Sequence, residues 1–437
     1  MSKPVTEIIE FNPTRRLSKG NVAPFIDMAS LPVNARDINE ISFREFKGGT
    51  KFQNGDILFA RITPCLENGK TAKVNCLSDN VIGHGSTEFI VLSAKLPDYD
   101  EDYIYYLTRL PEFREFARQR MEGTSGRQRV SWQSLSEFTY DFPEKEIRWK
   151  NAHILKIFDD KIQLNTQINQ TLEQIAQTIF KSWFIDFDPV HAKAEALTGG
   201  QTLEQATQAA MAVISGKNTQ ELHRLQTANP EQYQQLWEIA EAFPSGVDEE
   251  GVPRGWESKK VGEVAKIVKG KKPKLISSEP DDGFLPHILM ASLSGKYTEY
   301  AQIDKSIVCD IFDTLILMDG AASGKIAIGH KGVIGSTFAK MELSENKYWA
   351  LFNLFMFSKE QDIQANTTGT SIPHTDKARV LDYEIIVPCD VVLNYFTEMY
   401  KNILCSILNQ RKNSFILENI RDLLLPKLLS GEILNGN

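Results

Sequence analysis

A short arginine-rich segment holds the residues in this sequence that are best suited to binding chemistry. It contains Arg118, Arg120, Thr124, Ser125, Arg127, Gln128 and Arg129. Arginine and hydroxyl side chains donate hydrogen bonds to phosphate oxygens, and arginine and glutamine also match purine edges. The segment therefore predicts contacts to a nucleic acid. Taken alone, these residues are equally consistent with an ordinary solvent-exposed surface that binds no ligand.

A later segment offers similar chemistry. Its candidate residues are Thr370, Ser371, His374, Lys377 and Arg379, and an upstream basic strip adds Lys269, Lys271, Lys272 and Lys274. We also include Arg61 among the candidate contacts. Lys70 and Lys325, the lysines of the repeated Gly-Lys dipeptide, are further candidates. The lysine strip is suited to phosphates. Because the two loops occupy matched places in a sequence repeat, they favour one ligand contacted twice.

Residues for catalysis form no convincing constellation. The stretch from Gly320 to Lys325 is one residue shorter than a phosphate-binding loop, and Ile326 replaces its hydroxyl residue. The sequence contains no N-P-P-Y or D-P-P-Y tetrapeptide of the kind that adenine methyltransferases use. Asp319 with Glu345 and Lys347 is better interpreted as polar surface than as a nuclease site. We therefore predict a non-catalytic chain without its own cofactor.

Metal-binding and membrane motifs are also missing from the sequence. The five cysteines form no C-x-x-C pair, and the seven histidines form no spaced metal set. No stretch approaches 18 consecutive apolar residues, and the N-terminal residues do not resemble a signal peptide. These features predict a cytoplasmic protein with neither a disulfide framework nor a membrane partner.

The 437 residues carry a net charge of −8, which at first argues against a nucleic-acid ligand. Most of the acidity is local, however. Residues 144–252 hold nine basic and 16 acidic residues, a net charge of −7, whereas residues 253–388 are neutral and residues 1–143 carry −1. The charge distribution therefore allows an anionic ligand for residues 1–143 and 253–388, but not for the acidic segment between them.

A sequence repeat organises the chain. The matched segments are Met28-Ala29-Ser30-Leu31 with Met290-Ala291-Ser292-Leu293, Asp56-Ile57-Leu58 with Asp313-Thr314-Leu315, Gly69-Lys70 with Gly324-Lys325, Ile82 to Thr87 with Ile334 to Thr337, and Gly123-Thr124-Ser125 with Gly369-Thr370-Ser371. Their order is kept while the offset falls from 262 to 245 residues, as expected for small insertions and deletions in loops. Strand-like runs such as DILFARI and DTLILM predict an α/β fold for each copy.

A long helical segment follows each copy, over Glu144–Trp183 and Val391–Leu429. Their apolar residues predict a coiled-coil seam at Ile157, Leu164, Ile168, Ile175 and Ile179 and at Ile403, Ile407, Ile420 and Leu424. About 36 helical residues would span roughly 54 Å and could act as a spacer. Two amphipathic helices packed on separate domains are the alternative.

The chain is accordingly divided into five parts. We expect a first domain at 1–143, a long helix at 144–190, a helical insert and linker at 191–252, a second domain at 253–388, and a second long helix with a tail at 389–437. Helical runs are expected at Leu203–Ile214 and Gln232–Ala242, with a minor core of their own. The predicted fold class is α/β, with two pseudo-repeated α/β domains separated by two long helices.

Four motifs in this order resemble those of the specificity (S) subunit of type I restriction-modification systems. They are Gly123-Thr124-Ser125 through Phe142-Pro143, the helix end from Ile179 to Val190, Val252-Pro253-Arg254-Gly255-Trp256 with Val261-Gly262-Glu263-Val264, and Leu425 to Ile433. The resemblance extends over essentially the whole chain. The helical insert after Val190 departs from many members of this family.

The resemblance implies two target recognition domains that each read one half of a bipartite site in double-stranded DNA. It also implies an antiparallel coiled coil of the long helices, two methyltransferase (M) subunits bound to it, and restriction/motor (R) subunits in the full complex. S-adenosylmethionine, ATP and Mg are then expected in the partner subunits. A non-catalytic coiled-coil scaffold that binds proteins is the alternative function, but it leaves the matched basic loops unexplained.

Overall fold

The computed structural model describes residues 2–33, 35–38, 40–124, 126–369 and 372–432. The chain divides into two compact units, one formed by Met1–Leu164 with Asn413–Asn437 and the other by Asn165–Lys412. Each unit contains one copy of the sequence repeat and one part of each long helix.

The first unit contains two main sheets. Its strands are β1 (Lys3–Pro4), β2 (Ile9–Phe11), β3 (Val22–Ile26), β4 (Ser42–Glu45), β5 (Thr50–Phe52), β6 (Ile57–Ala60), β7 (Thr71–Lys73), β8 (Gly83–Gly85), β9 (Phe89–Ala94) and β10 (Thr139–Tyr140). One sheet has the order β2-β9-β6-β7 and the other β4-β3-β8-β5, in which β3 and β8 are parallel. All four residues of β6 are buried, as a continuous apolar run predicts for a central strand.

Helices cover the first of these sheets. They are α1 (Pro97–Leu107), α2 (Pro111–Gln119), α3 (Trp132–Ser136) and the beginning of α4 (Lys145–Phe184). Proline opens α1 and α2, where its missing N–H costs no helical hydrogen bond. The apolar side of α1, including Tyr103 and Ile104, is buried in one core with β6 and β9.

Four short helices form the insert in the second unit. They are α5 (Asp188–Thr198), α6 (Leu203–Ser215), α7 (Thr219–Ala228) and α8 (Pro230–Ala242). Capping boxes at Thr202 with Gln205 and at Asn218 with Glu221 start α6 and α7. The predicted runs in α6 and α8 are confirmed, whereas α5 and α7 were not predicted.

The expectation of a separate minor core in the insert is wrong. Met211, Leu222 and Ile239 belong to the same apolar cluster as Trp183 and Trp256. Aromatic rings make the connection. The ring centroids of Trp183 and Phe243 are 5.3 Å apart, and those of Phe243 and Trp256 are 5.8 Å apart. The insert therefore packs as part of the second unit's core.

The second copy repeats the topology of the first. Its strands are β11 (Glu257–Lys260), β12 (Ala265–Lys269), β13 (Ile276–Ser277), β14 (Phe284–Ile288), β15 (Tyr300–Gln302), β16 (Val308–Cys309), β17 (Thr314–Leu317), β18 (Ile326–Ala327), β19 (Gly332–Ile334), β20 (Phe338–Leu343) and β21 (Glu384–Val387). Its helices are α9 (Val261–Val264), α10 (Trp349–Ala365), α11 (Lys377–Asp382) and α12 (Asp390–Leu429).

Strand order shows the equivalence. The order β12-β20-β17-β18 corresponds to β2-β9-β6-β7, and β14 runs parallel to β19 as β3 does to β8. The pair β11–β21 corresponds to β1–β10, while β13 is an additional edge strand beside β15. These relationships confirm the predicted duplication and the α/β fold class.

The long helices α4 and α12 pack antiparallel within each unit. In the first unit, Asn151 donates to the Leu428 carbonyl and Asp159 pairs with Arg421. In the second, Glu173 lies 3.1 Å from Arg411, and further along α4 the ring of Trp183 stacks on that of Tyr395. In both units, residue numbers rise along α4 as those of their partners fall along α12.

The predicted seam is wrong at four of its positions. Ile157, Leu164, Ile175 and Ile420 are 55%, 47%, 43% and 39% exposed. The buried face of α4 instead contains Leu155, Asp159, Asn165, Ala176 and Phe180, whereas Ile407 is buried as predicted. Apolar spacing misidentified the face because polar residues occupy part of the true seam, where Asp159 pairs with Arg421.

Candidate nucleic-acid interface

The first loop, residues 121–130, is a hairpin attached to the end of β6. Glu122 and Arg129 exchange two backbone hydrogen bonds of 2.9 Å. The Val130 N–H donates to the Arg61 carbonyl, and the Thr63 N–H donates to the Gln128 carbonyl, each at 3.0 Å. These four bonds hold the base of the loop at the end of a buried strand. Ser125, a predicted contact, lies outside the described residues.

The second loop, residues 367–375, has the same backbone frame at the end of β17. Thr368 and His374 exchange hydrogen bonds of 2.8 and 2.7 Å. The Thr375 N–H donates to the Met318 carbonyl at 2.8 Å, and the Gly320 N–H donates to the Pro373 carbonyl at 3.0 Å. Thr370 and Ser371, both predicted contacts, lie outside the described residues.

Backbone conformation explains why both loops have a glycine at the matched position. Gly123 and Gly369 follow the first residue of each hairpin base with φ of 127° and 91°. A side chain would strain this backbone, and a Cβ at Gly369 would lie 2.5 Å from the Ile372 carbonyl oxygen. The repeated Gly-Thr-Ser tripeptide therefore marks a repeated turn as well as polar side chains.

An ion pair anchors the first loop. The Arg129 guanidinium donates to both Glu88 carboxylate oxygens over 2.8–3.0 Å. Arg61 approaches the same carboxylate at 3.9 Å. Hydrogen bonding by Arg129 lowers the pKa of Glu88. Arg129 and Arg61, both predicted to bind DNA, thus share one carboxylate in this structure.

The second loop has a comparable ion pair. His374 Nδ1 lies 2.7 Å from Asp319 Oδ1, and Lys269 Nζ lies 2.8 Å from Asp319 Oδ2. Partial burial opposes ionisation of Asp319, but hydrogen bonds from Lys269 and His374 outweigh it and lower its pKa. Asp319, considered above only for nuclease chemistry, is therefore the shared hydrogen-bond partner of Lys269 and His374.

Several other predicted contacts have partners within the chain. Lys70 donates to the Met28 carbonyl at 2.6 Å, and Arg118 pairs with Glu115 at 2.5 Å. Arg120 lies 3.4 Å above the ring centroid of Phe116. These interactions orient the three side chains, and they remain partly exposed.

Arg379 and Lys325 also contact other parts of the second copy. The Arg379 guanidinium makes a bidentate pair with Asp362, with Nη2 2.9 Å from Oδ1 and Nε 3.2 Å from Oδ2. Lys325 lines a cavity of about 280 Å³ together with His330 and Arg411. The structure thus places Lys325 beside the long helices.

The remaining predicted residues are more accessible to a ligand. Thr124, Arg127, Lys271, Lys272, Lys274 and Lys377 are exposed, and Gln128 is half-buried. Within the part of the chain that the structure describes, none of the five cations among them forms an ion pair. They are the side chains most available to an anionic ligand.

Comparison with known proteins agrees with the repeated topology. The family model for the type I restriction modification DNA specificity domain matches residues 2–174 and 253–390. The chain belongs to this family of type I restriction-modification specificity subunits. The resemblance stated from the sequence is thereby confirmed. The match leaves residues 175–252, with the helical insert, and residues 391–437 uncovered.

Individual relatives support this membership. The HindI specificity subunit of Haemophilus influenzae is 33% identical over 414 residues, covering 87% of each chain. The MjaIX specificity subunit of Methanocaldococcus jannaschii is 25% identical over 351 residues, covering 76% of this chain and 69% of the relative. The crystal structure of the type I S subunit from M. genitalium shares the fold, with a TM-score of 0.52 over 98% of this chain and 96% of that one at 14% identity.

Sequence reasoning missed exposed apolar side chains that lie beside a cation at a sheet edge of each copy. On edge strand β4, Phe43 and Arg44 are exposed, and the Arg44 guanidinium lies 4.1 Å from the Phe25 ring centroid. At edge strand β13 of the second copy, exposed Leu275 and Ile276 follow Lys274. An exposed apolar residue beside a cation was the available signal, but neither short strand has a distinctive sequence pattern.

The long helices expose apolar side chains outside their mutual contact. On α4 these include Ile157, Leu164 and Ile175, and on α12 they include Ile416 and Leu423. Ile157 and Leu164 are seven residues apart, as are Ile416 and Leu423, which places each pair on one helix face. Each of these two pairs forms an exposed stripe suited to packing against another helix.

The described residues offer neither a metal site nor a helix that could cross a membrane. No group of three or more histidine, cysteine, aspartate or glutamate side chains there is arranged to hold a metal ion. None of the helices found there combines the length and apolar character that a bilayer crossing requires.

Proposed function

We propose that this specificity subunit reads a bipartite site in double-stranded DNA, with one half-site for each copy of the duplicated domain. The repeated loop frame is the observation that carries the proposal. Four equivalent backbone hydrogen bonds present two loops of different sequence at the ends of β6 and β17. A constant frame with variable side chains is suited to a protein that makes the same kind of contact to two different sequences.

Charge and exposure support DNA as the ligand. Lys271, Lys272 and Lys274 form an exposed strip between β12 and β13, where they can neutralise phosphates. Arg127 and Thr124 are exposed near the tip of the first loop, where they can reach base edges. We assign phosphate contacts to the lysine strip and base reading to the loop tips.

The proposed domains follow the duplication. Residues 1–143 and 253–388 are the two target recognition domains, and residues 191–252 are an insert and linker. Helices α4 and α12 have 40 residues each, about 60 Å at 1.5 Å per residue. We expect them to set the spacer between half-sites, with about 10.5 base pairs per turn bringing both domains to one side of the duplex.

The proposed partners are two methyltransferase subunits, joined in the full complex by restriction subunits. The exposed stripe on α4 and α12 supports docking of partner helices, because these apolar side chains would leave water on binding. Methyl transfer and ATP-dependent steps then belong to the partners, which would bring S-adenosylmethionine, ATP and Mg. This chain would be non-catalytic and cytoplasmic.

Substitution on the stripe tests the partner assignment. We expect Leu164→Glu to reduce co-purification of the methyltransferase by tenfold or more, because a buried carboxylate without a partner is costly. Gln170→Glu is the matched control, since it adds the same charge at an exposed polar position of α4 about 120° around the helix from Leu164. Equal co-purification of both variants would exclude the stripe as the docking surface.

Salt dependence tests the DNA assignment. The full chain is titrated with an unrelated duplex at several salt concentrations, and the logarithm of the affinity is plotted against that of salt. DNA binding through phosphates predicts a steep negative slope. A flat response would favour the non-catalytic scaffold that binds protein partners, for which the exposed apolar stripe is the supporting observation.

A further inference from the structure

We propose that a cavity in the second unit binds an apolar α-amino acid in its zwitterionic form. The cavity has a volume of about 280 Å³ and lies among β18, α10, α4 and α12. All of its lining residues fall between Glu173 and Arg411, inside the second unit. None of them comes from the described part of either recognition loop. The proposal therefore goes beyond DNA reading and does not depend on it.

The charged groups of the cavity wall are balanced in number, but only half of them are paired. Arg411 Nη2 lies 3.1 Å from Glu173 Oε1 and forms an ion pair. The other two charges are Lys325 and Glu360, and neither forms an ion pair within the described residues. A ligand with one carboxylate and one ammonium group would supply a partner for each. A simple anion would satisfy Lys325 but leave the Glu360 carboxylate without a cation.

Glu360 is held in place for this role by the backbone. One of its carboxylate oxygens, Oε2, accepts the Ile326 N–H at 2.7 Å. Ile326 follows Lys325 in the chain, so this bond fixes the carboxylate beside the segment that carries the cation. A carboxylate has about four lone-pair sites, and one backbone hydrogen bond leaves Glu360 able to accept further bonds from a ligand ammonium group.

His330 adds a buried polar atom without a partner. This residue is 3% exposed and lines the cavity. Its Nδ1 lies 3.1 Å from the Tyr297 hydroxyl oxygen, whereas its Nε2 has no hydrogen-bond partner among the described residues. Burial, with a smaller contribution from the Arg411 charge, lowers the pKa of His330 to about 4, so the ring is neutral at pH 7. If the Tyr297 hydroxyl donates to Nδ1, Nε2 carries the proton and can donate it to a ligand carboxylate.

The rest of the cavity wall is mostly apolar. Leu354 and Phe357 of α10 line it together with Leu404 and Ile407 of α12. A cavity of about 150 Å³ with apolar walls admits benzene, so one of about 280 Å³ has room for roughly ten non-hydrogen atoms. Leucine and phenylalanine are close to this size. An apolar body with a few polar groups that fix its orientation is the usual pattern of a small-molecule site.

The first copy shows that the unpaired lysine is specific to the second. Lys70 occupies the same place in the sequence repeat as Lys325, and its Nζ donates to the carbonyls of Met28 and Ala29 at 2.6 and 3.4 Å. Within the described residues, the side chain of Lys325 makes no comparable hydrogen bond. The repeated lysine thus has an internal partner in the first copy, whereas in the second its ammonium group is left for a ligand.

Binding would join the second copy to the long helices. Lys325 and His330 belong to the second copy, whereas Glu173 and Arg411 belong to α4 and α12. The two parts already touch beside the cavity, because a Cβ at Gly329 would lie 2.6 Å from the Leu408 side chain. A ligand that contacts both parts would therefore stabilise the second unit.

Calorimetric titration of the full-length chain at neutral pH tests the site. The probes are L-leucine, isocaproate, which is leucine without the ammonium group, and isoamylamine, which is leucine without the carboxylate. We expect L-leucine to bind roughly tenfold more tightly than either analogue, because each analogue loses the hydrogen bonds of one charged group.

Substitution of the two unpaired residues assigns the two ends of the ligand. Lys325→Met should remove most of the advantage of L-leucine over isoamylamine, and Glu360→Gln should remove its advantage over isocaproate. Lys331→Gln is the matched control, since this exposed lysine pairs with Asp310 and does not line the cavity. Thermal unfolding checks that each variant is folded. A merely structural role would lower the unfolding temperature without changing these affinity ratios.

Two results would overturn the proposal. One is the absence of binding of both L-leucine and L-phenylalanine to the folded chain at millimolar concentration. The other is equal affinity for L-leucine and its two analogues, because it would show that the charged groups do not recognise the ligand. Either result leaves DNA reading standing, since that function is tested separately by the salt dependence of duplex binding.

Discussion

The two copies of the duplicated domain share a backbone frame but differ in the side chains that complete it. Both loops attach through four equivalent hydrogen bonds, yet Arg129 meets Glu88 in one and His374 meets Asp319 in the other. Main-chain geometry has therefore been retained while the ion pairs were rebuilt. This separation allows the side chains of a loop to differ without loss of its backbone position.

The long helices offer a parallel contrast within the two units. In the first unit, Asp159 accepts hydrogen bonds from Tyr106 and Arg421 in a buried polar network. In the second unit, Phe184 and Phe396 pack edge to face at 4.8 Å between centroids. Polar networks specify register, whereas aromatic packing contributes apolar burial that tolerates small shifts.

Exchange of one copy has the largest expected effect. Replacing residues 253–388 with those of another family member should change one half-site completely and leave the other unchanged, because each loop is framed within its own copy. Methylation mapping of the partner complex with the exchanged chain measures both halves. A change in both half-sites would break the comparison, because it would show that the copies do not read independently.

Removal of Arg421 tests the polar network of the long helices. Asp159 and Arg421 are 6% and 2% exposed, so Arg421→Ala leaves a buried carboxylate without its cation and should cost about 3–5 kcal/mol of unfolding free energy. Arg411→Ala is the matched control, because its pair with Glu173 is partly exposed and should contribute under about 1 kcal/mol. Urea unfolding measures both, and equal losses would refute the contrast.

Acid should weaken the second unit through His330. Burial, with a smaller contribution from the Arg411 charge, lowers the pKa of His330 to about 4. The unfolded chain takes up this proton near pH 6.5, so stability should fall as pH drops from 6.5 to 4, by at most about 3 kcal/mol. His330→Gln should remove this part of the pH dependence, measured by urea unfolding. An unchanged slope would contradict burial of a neutral His330.

Neutralising the lysine strip has the smallest expected effect on specificity. Changing Lys271, Lys272 and Lys274 to glutamine should weaken binding to all duplexes and reduce the salt slope by roughly one unit for each phosphate that the chain no longer neutralises. Lys401→Gln, which removes an ion-paired lysine of α12, should leave the slope unchanged. Loss of preference at a single base pair would assign the strip to base reading instead.

Sequence features predicted the duplication and both loop positions, because Gly123 and Gly369 are required by the same turn. The side-chain partners of the two loops were not predictable, since Glu88 lies 41 residues from Arg129 and Asp319 lies 55 residues from His374. The seam was misassigned because Asp159 and Arg421 satisfy each other inside it. Local conformation could thus be predicted from the sequence, whereas long-range pairing of polar groups needed the structure.

Base-resolution mapping of methylated adenine in the source cell's genome, with and without this gene, tests the central proposal most directly. If the chain reads a bipartite site, deletion should abolish methylation at one split motif, formed by two short half-sites around a fixed gap. An unchanged methylation map, with the companion methyltransferase shown to be expressed, would contradict the account and favour the scaffold function.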